Sequence, residues 1–444
     1  MYSRLATRLI DMLHSFWFPP AVMVLLGVLL AEVVITFDER AGYPATGGIL
    51  LYRGDVDGAR ALLTGITASI FGVASTVFSI TIAALTVASN QMGPRLMESF
   101  TRDWRNSVSL GSLLATVAYG FIILRSVQSQ SDSGAAGFVP HVGVSIALLL
   151  TFVSVGVLIY FIQHVAASIN VGYVIHLVHD DLIRTLEEQT IPGVTEDQPP
   201  AEPPQLPKSN TVAAPRSGYV QSVDTNKLLR LAARHDVVIR LLVRPGDFVR
   251  KGIPVALVSR EAPAGITAAL SIGWSRTTNQ DIEYAARKLV EVASRALSPS
   301  LNDPYTAMAV LEHLGDALCF LRDRGLPNGR YERNGRLLLF MPVSDFQGLV
   351  ETMLNLIRQY GRTHPAVMIR LIEVLTEVCA CLDDARRRDV LKLHATLARD
   401  EGLEHTWAQH DREAIERRYE RFLRADAQRN GKRAEEPVIV EHHE

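Results

Sequence analysis

Cysteine is nearly absent from this chain. It has three, Cys319, Cys379 and Cys381, all in its second half. Three cannot build a disulfide framework. Cys379 and Cys381 lie two apart on a predicted helix and so face different directions, which argues against a shared metal ion. They read as buried, reduced small hydrophobes of a cytosolic domain. A charge of one sign is missing too. Forty-five Lys and Arg against 47 Asp and Glu leave a net charge of −2, where a nucleic-acid binder would show a basic domain. Also missing are a phosphate loop ending in Gly-Lys-Ser/Thr, His-Glu-x-x-His, Gly-x-Ser-x-Gly and Cys-x-x-Cys. Nucleotide-driven, zincin, serine-hydrolase and dithiol chemistries therefore have no foothold.

Charge is scarce in residues 1–165, and there the long apolar runs stand out. Trp17–Phe37, Leu62–Ser89, Ser107–Leu124 and Val142–Gln163 are each about long enough to cross a bilayer. The first run has basic residues before it, as a signal peptide would. It is span-length and lacks a small-residue cleavage site, so it is expected to stay as a span. Ahead of it, Leu5, Leu9, Met12, Leu13 and Phe16 share one side of a helix, the pattern of an interfacial helix on the lipid bilayer. Arg95, Arg102 and Arg105 crowd the second loop, and the third has no base beyond Arg125 at its edge. The positive-inside rule then puts both termini in the cytoplasm of a multi-pass protein.

The expected organisation is an interfacial helix (1–16), a four-helix transmembrane domain (17–163), and a cytoplasmic helical extension (164–189). A Pro-rich linker (190–215), a small β module (216–260), a helical domain (277–426) and a disordered tail (427–444) follow. The fold class is thus membrane α-helical with a cytoplasmic α+β region. The linker holds Pro192, Pro199, Pro200, Pro203, Pro204, Pro207 and Pro215, which favours extended chain. In the β module, Pro245-Gly246-Asp247 and Gly252 mark turns. The segment resembles a barrel-sandwich module of the biotinyl or lipoyl carrier type. Neither Lys227 nor Lys251 stands at a symmetric hairpin tip, so no covalent cofactor is expected.

Candidate functional residues are few. Glu32 is an intramembrane acid, about one turn from the interface at Phe37-Asp38. In the second run, Thr64, Ala68, Phe71, Ser75, Ser79, Ile82, Thr86 and Ser89 fall on one side at 100° per residue. A hydroxyl stripe of this kind can line a pore for small ions, with Phe71 and Ile82 as a hydrophobic gate. Arg95, Arg102 and Arg105 would then sit at its inner mouth. Small and hydroxyl residues also serve helix–helix packing, so the stripe leaves both readings open. His176, His179 and Asp180 share a helix face. A metal site there would need a second His-bearing segment, so ordinary polar residues are expected. Asn302, Asp303 and Tyr305 read as a turn and helix cap rather than a catalytic set.

The four spans, Gln91-Met92-Gly93-Pro94-Arg95, and the run from Arg295 through Ser298-Pro299 and Asn302-Asp303-Pro304-Tyr305 to Ala307 carry a resemblance. The chain resembles a widespread bacterial family of predicted membrane proteins of unknown function. The resemblance implies a bacterial inner-membrane protein and brings no substrate, cofactor or catalytic residue. The expected function is an oligomeric ion channel or conductance protein, a homo-oligomer because four helices enclose no wide pore. The alternative is a non-conducting scaffold or sensor whose cytoplasmic domain binds a protein partner. No enzymatic activity is expected.

Overall fold

The computed structural model describes residues 17–41, 52–93, 104–128, 138–168, 170–194 and 202–435. The expected interfacial helix at 1–16 lies outside them. The chain divides into two compact units, Met1–Asn170 and Val171–Glu444.

The membrane unit contains α1 (Phe18–Ala41), α2 (Val56–Met92), α3 (Trp104–Ser126) and α4 (His141–Ser168). All four contain a stretch long and apolar enough to cross a bilayer. The third, the shortest of the runs in sequence, is the central helix. It packs on α1, α2 and α4, and 56% of its apolar window is buried against 22% for each of the others. Close approach is what its glycines provide. A Cβ on Gly120 would lie 2.6 Å from Thr67 Oγ1 of α2, and one on Gly27 of α1 would lie 2.6 Å from the Ala115 carbonyl oxygen.

The second unit opens with α5 (Val171–Gln189), a helix separate from α4. It does not form an exposed extension. Its apolar face, Val174, Ile175, Val178, Leu182 and Leu186, is buried, and the helix packs on α7 (Ile282–Ala296) and α8 (Pro304–Phe320). The helical apolar spacing of residues 171–189, read from the sequence as part of an extension of the fourth span, serves tertiary packing instead.

Two sheets follow. One has five strands in the order β2 (Thr211–Ala213), β6 (Pro254–Val258), β4 (Ile239–Leu241), β10 (Arg336–Phe340) and β9 (Arg330–Arg333). The other orders β5 (Phe248–Val249), β3 (Gly218–Val223) and β7 (Leu270–Gly273). All pairings are antiparallel except that of β10 with β4. Val220, Ile239, Leu241, Val255, Val258, Ile272 and Leu339 fill the core between them, with Leu228 and Ala232 from α6 (Thr225–His235). The module therefore recruits strands on both sides of 216–260. The turns at Gly246 and Gly252 have the positive φ their sequence signals implied, 95° and 85°. Because β5 and β6 belong to different sheets, Lys251 sits in a connection between sheets, not at a hairpin tip. A short pair, β1 (Ile191–Pro192) with β8 (Arg324–Gly325), ties the start of the linker to the chain after α8.

The helical layer is completed by α9 (Phe346–Gly361), α10 (Pro365–Cys381), α11 (Ala385–His405) and α12 (Gln409–Glu435). Aspartates start several helices: the carboxylates of Asp224, Asp281, Asp303, Asp345 and Asp384 accept first-turn backbone N–H groups. The last helix runs nine residues past 426, into the expected disordered tail. Ala425, Ala427 and Gln428 favour helix, and Arg429 reaches Asp383 at 3.0 Å. Residues 436–444 lie outside the described set.

Candidate functional site

Helix α2 starts where the Asp55 side chain accepts the Gly58 N–H at 2.9 Å. One face, with Leu63, Thr67, Ile70, Ala74, Val77 and Thr81, is buried in the membrane unit. The other carries the expected stripe. Thr64, Ala68, Phe71, Ser75, Ser79, Ile82 and Thr86 are all exposed on the protomer. Val77 is 1% exposed whereas Phe71 is 58% and Ile82 47%, so the helix has a clear inside and outside. A Cβ at Gly65 or Gly72 on the outer side would meet nothing within 4 Å. Ser79 donates to the Ser75 carbonyl at 3.0 Å, Thr76 to Gly72 at 3.1 Å, and Thr86 to Ile82 at 2.9 Å. These bonds satisfy the hydroxyls along their own helix and leave lone pairs facing outward. The Ser89 side chain, Arg95 and Arg102 lie outside the described residues. Arg105 is exposed near the start of α3, and its carbonyl accepts the Ser109 hydroxyl at 2.8 Å.

Glu32 meets Arg125 at 3.0 Å, joining α1 to α3. Both side chains are more than half exposed on the protomer, so the pair forms a neutral polar spot on the helix surface. Nearby in sequence, Asp38 is the buried acid that sequence reasoning missed. It is 6% exposed and accepts the backbone N–H groups of Val142 at 3.3 Å and Gly143 at 3.0 Å. It thereby caps α4 from another helix. One signal was available: α4 starts after Val139-Pro140 and has no Ser, Thr, Asp or Asn at its own N-cap. Arg60 adds a bond to the Val127 carbonyl at 3.2 Å, and His141 Nδ1 lies 2.9 Å from the Tyr52 carbonyl oxygen.

In the second unit Asn302 takes φ +47° and Asp303 caps α8, accepting the Thr306 N–H at 3.1 Å and its hydroxyl at 2.6 Å. Tyr305 points outward, 78% exposed. These three do not converge on a shared pocket. A cavity of about 250 Å³ lies elsewhere, lined among others by Arg244, Gln280, Tyr331 and Ser344. Arg244 pairs with Glu283 at 2.8 Å. Ser344 bridges them, accepting from Arg244 and donating to Glu283, each at 3.0 Å. Beside it Asp281 is held by Arg276 at 2.5 Å and 2.9 Å, yet burial pushes its carboxyl above the usual range. An anionic ligand in this cleft would have to compete with Glu283 for Arg244. The triad joins three segments distant in sequence, so no local motif could have announced it.

Comparison with known proteins fits this architecture. The family described as Predicted membrane protein (DUF2254) matches residues 13–377, and the chain belongs to that family. Uncharacterized protein Rv1290c of Mycobacterium tuberculosis and Uncharacterized protein Mb1321c of Mycobacterium bovis are each 32% identical to it over 386 residues. The alignment covers 84% of this chain and 73% of theirs. No solved structure matches the chain.

Proposed function

We propose that this membrane protein assembles as a homo-oligomer that conducts small ions, with the outer face of α2 turned toward the shared axis. One observation carries the reading. The face of α2 with Thr64, Ser75, Ser79 and Thr86 is left uncovered by the helices it packs on, α3 and α4, while the face with Thr67 and Thr81 is buried. Small polar residues lower the barrier to a hydrated ion without holding it, and Phe71 and Ile82 on the same side supply a constriction that can dewet. The proposal places the protein in a bacterial inner membrane with both termini in the cytoplasm. A reporter fused after Glu444 should then be active only in the cytosol. No enzymatic reaction is assigned.

Single cysteines test the axis. In a background lacking Cys319, Cys379 and Cys381, cysteines at Ser75 and Ser79 should react in membranes with a small water-soluble thiol reagent. A cysteine at Val77 should not, since the thiolate needs water to form. Phe71→Ser or Ile82→Ser should raise reconstituted flux. Unreactive cysteines on both faces, in chains that still oligomerise, would make the stripe a packing seam.

A second reading, a non-conducting scaffold or sensor, is favoured by aromatic side chains on the second unit. Trp274, Tyr305 and Trp407 are 91%, 78% and 97% exposed, the residue types that anchor protein partners.

A further inference from the structure

Helices α5 and α8 bring together three imidazoles and two carboxylates. His176, His179 and Asp180 lie at i, i+3 and i+4 on α5, and their ligand atoms fall within 4.8 Å of one another. Across from them His313 and Asp316 lie at i and i+3 on α8. The His179 and His313 ring centroids are 4.8 Å apart, and those of His176 and His313 6.4 Å. His176 Nε2 is 3.6 Å from Asp180 Oδ2, and His179 Nδ1 is 3.8 Å from Asp180 Oδ1. On the other side of the same ring, His179 Nε2 is 3.0 Å from Asp316 Oδ2. The second His-bearing segment that the sequence did not reveal is thus supplied by packing.

His179 is the telling residue. It is 8% exposed, and its Nε2 is fully buried without a hydrogen-bond partner among the described residues. The contact with Asp316 is close but lacks hydrogen-bond geometry. A buried imidazole nitrogen normally finds a partner. Here both ring nitrogens face carboxylates, the setting in which one nitrogen binds an ion and a carboxylate orients the ring through the other.

We propose that this cluster is a divalent-metal site of the zinc class. His176, His179, Asp180 and His313 are the ligands, and Asp316 orients His179. The donor set is nitrogen and oxygen without thiolate, which suits zinc and its borderline neighbours better than calcium or magnesium. The spacing suits them too. Ligands bonded at about 2.05 Å in a tetrahedron lie roughly 3.3 Å apart, close to the 3.6 Å and 3.8 Å gaps from His176 and His179 to Asp180, and His313 joins them by turning its ring toward that group. A bound ion would clamp α5, the helix that follows the last span in sequence, to α8. The inference is independent of conduction.

The test uses full-length protein in detergent, stripped with chelator and desalted. Zn²⁺ is titrated against a chromophoric competitor, and Co²⁺ serves as a spectroscopic probe. One Zn²⁺ per chain is expected, with Co²⁺ giving the d–d bands of a nitrogen–oxygen site. His176→Gln and His313→Gln should each weaken Zn²⁺ by on the order of 100-fold, and Asp316→Asn by roughly 10-fold. His176 is mostly exposed, so its variant retains the fold even if a change at His179 does not. Absence of binding, affinity unchanged in the His176 and His313 variants, or thiolate-to-cobalt charge-transfer bands would each overturn the site.

Discussion

The two units of this chain tie their helices together differently. In the membrane unit most hydroxyls turn back on their own helix. Thr36, Thr76, Ser79, Thr81, Thr86, Ser109, Thr116 and Thr151 all donate to the carbonyl four residues earlier. These hydroxyls are thereby satisfied within their own helix, as hydrocarbon surroundings favour, and close backbone approach at small residues joins the helices, with Asp38 on α4 and Glu32 on Arg125 as polar ties between them. In the second unit hydroxyls such as Thr185, Ser294 and Thr376 turn back in the same way, but charged side chains also bridge elements. Lys288 of α7 reaches Asp181 of α5 at 3.3 Å, Arg418 of α12 reaches Glu373 of α10 at 2.5 Å, and Arg370 of α10 reaches Glu312 of α8 at 3.1 Å. Water offers the unfolded chain alternative partners there, so ties between elements select the arrangement more than they supply stability.

The sharpest way to break this contrast is at Arg387. Its side chain is 2% exposed and donates to the carbonyls of Leu321 at 2.6 Å and Arg324 at 2.9 Å. The guanidinium also stacks 5.2 Å from the Phe346 ring. Arg387→Met keeps much of the volume but strands two carbonyls. Chemical unfolding of the solubilised chain should show a loss of about 2–5 kcal/mol. A loss near zero would mean that those carbonyls find water, and that the ties are incidental.

His394 sharpens the contrast by being the exception. It is 2% exposed, and neither ring nitrogen has a hydrogen-bond partner among the described residues. Burial, reinforced by the nearby Arg358 charge, pulls its pKa down to about 4. The folded state thus holds the neutral ring, and the unfolded chain takes up the proton first. Stability is fully present above the ordinary histidine value and is lost as pH falls from about 6.5 toward 4, by on the order of 3 kcal/mol in all. Unfolding midpoints measured at pH 7.5 and pH 5 should fall more in the native protein than in His394→Leu. Parallel slopes would contradict the buried-neutral assignment.

The same contrast explains what could be read in advance. The four spans were legible because bilayer crossing is a matter of run length, and the outward stripe of α2 because helical period alone puts Thr64 through Thr86 on one side. Self-contained helices advertise themselves locally. Within the segment 277–426 expected as a helical domain, the short apolar run Arg336–Phe340 reads from sequence as a strand, but its parallel partner β4 lies almost a hundred residues earlier, and no local signal links them. The cap on α4 by Asp38, the Arg244–Ser344–Glu283 triad and the meeting of His179 with His313 were hidden for the same reason. Each depends on which elements pack. The apolar spacing of 171–189 was visible, but it does not say whether the face meets lipid, solvent or another helix.

The smallest effect separates the two sets of glycines in the membrane unit. Gly120 sits where α3 meets α2, and Gly72 sits on the face of α2 that meets nothing in the protomer. Gly120→Ala would put a methyl group 2.6 Å from Thr67 Oγ1, so either the side chain rotates or the helices part. An overpacking cost of about 1–3 kcal/mol is expected. Thr67→Ala in the same chain should recover most of it, because the obstructing atom is then gone. Gly72→Ala meets open space and gains helix propensity, so protomer stability should change by no more than about 1 kcal/mol, upward if at all. Yet if the outer face of α2 is where copies meet, that same methyl group should shift the cross-linking pattern or the flux of the assembly. Gly120→Ala would act on folding before assembly is reached. A Gly72→Ala chain that folds, assembles and conducts as the native protein does would leave the outer face of α2 to the lipid.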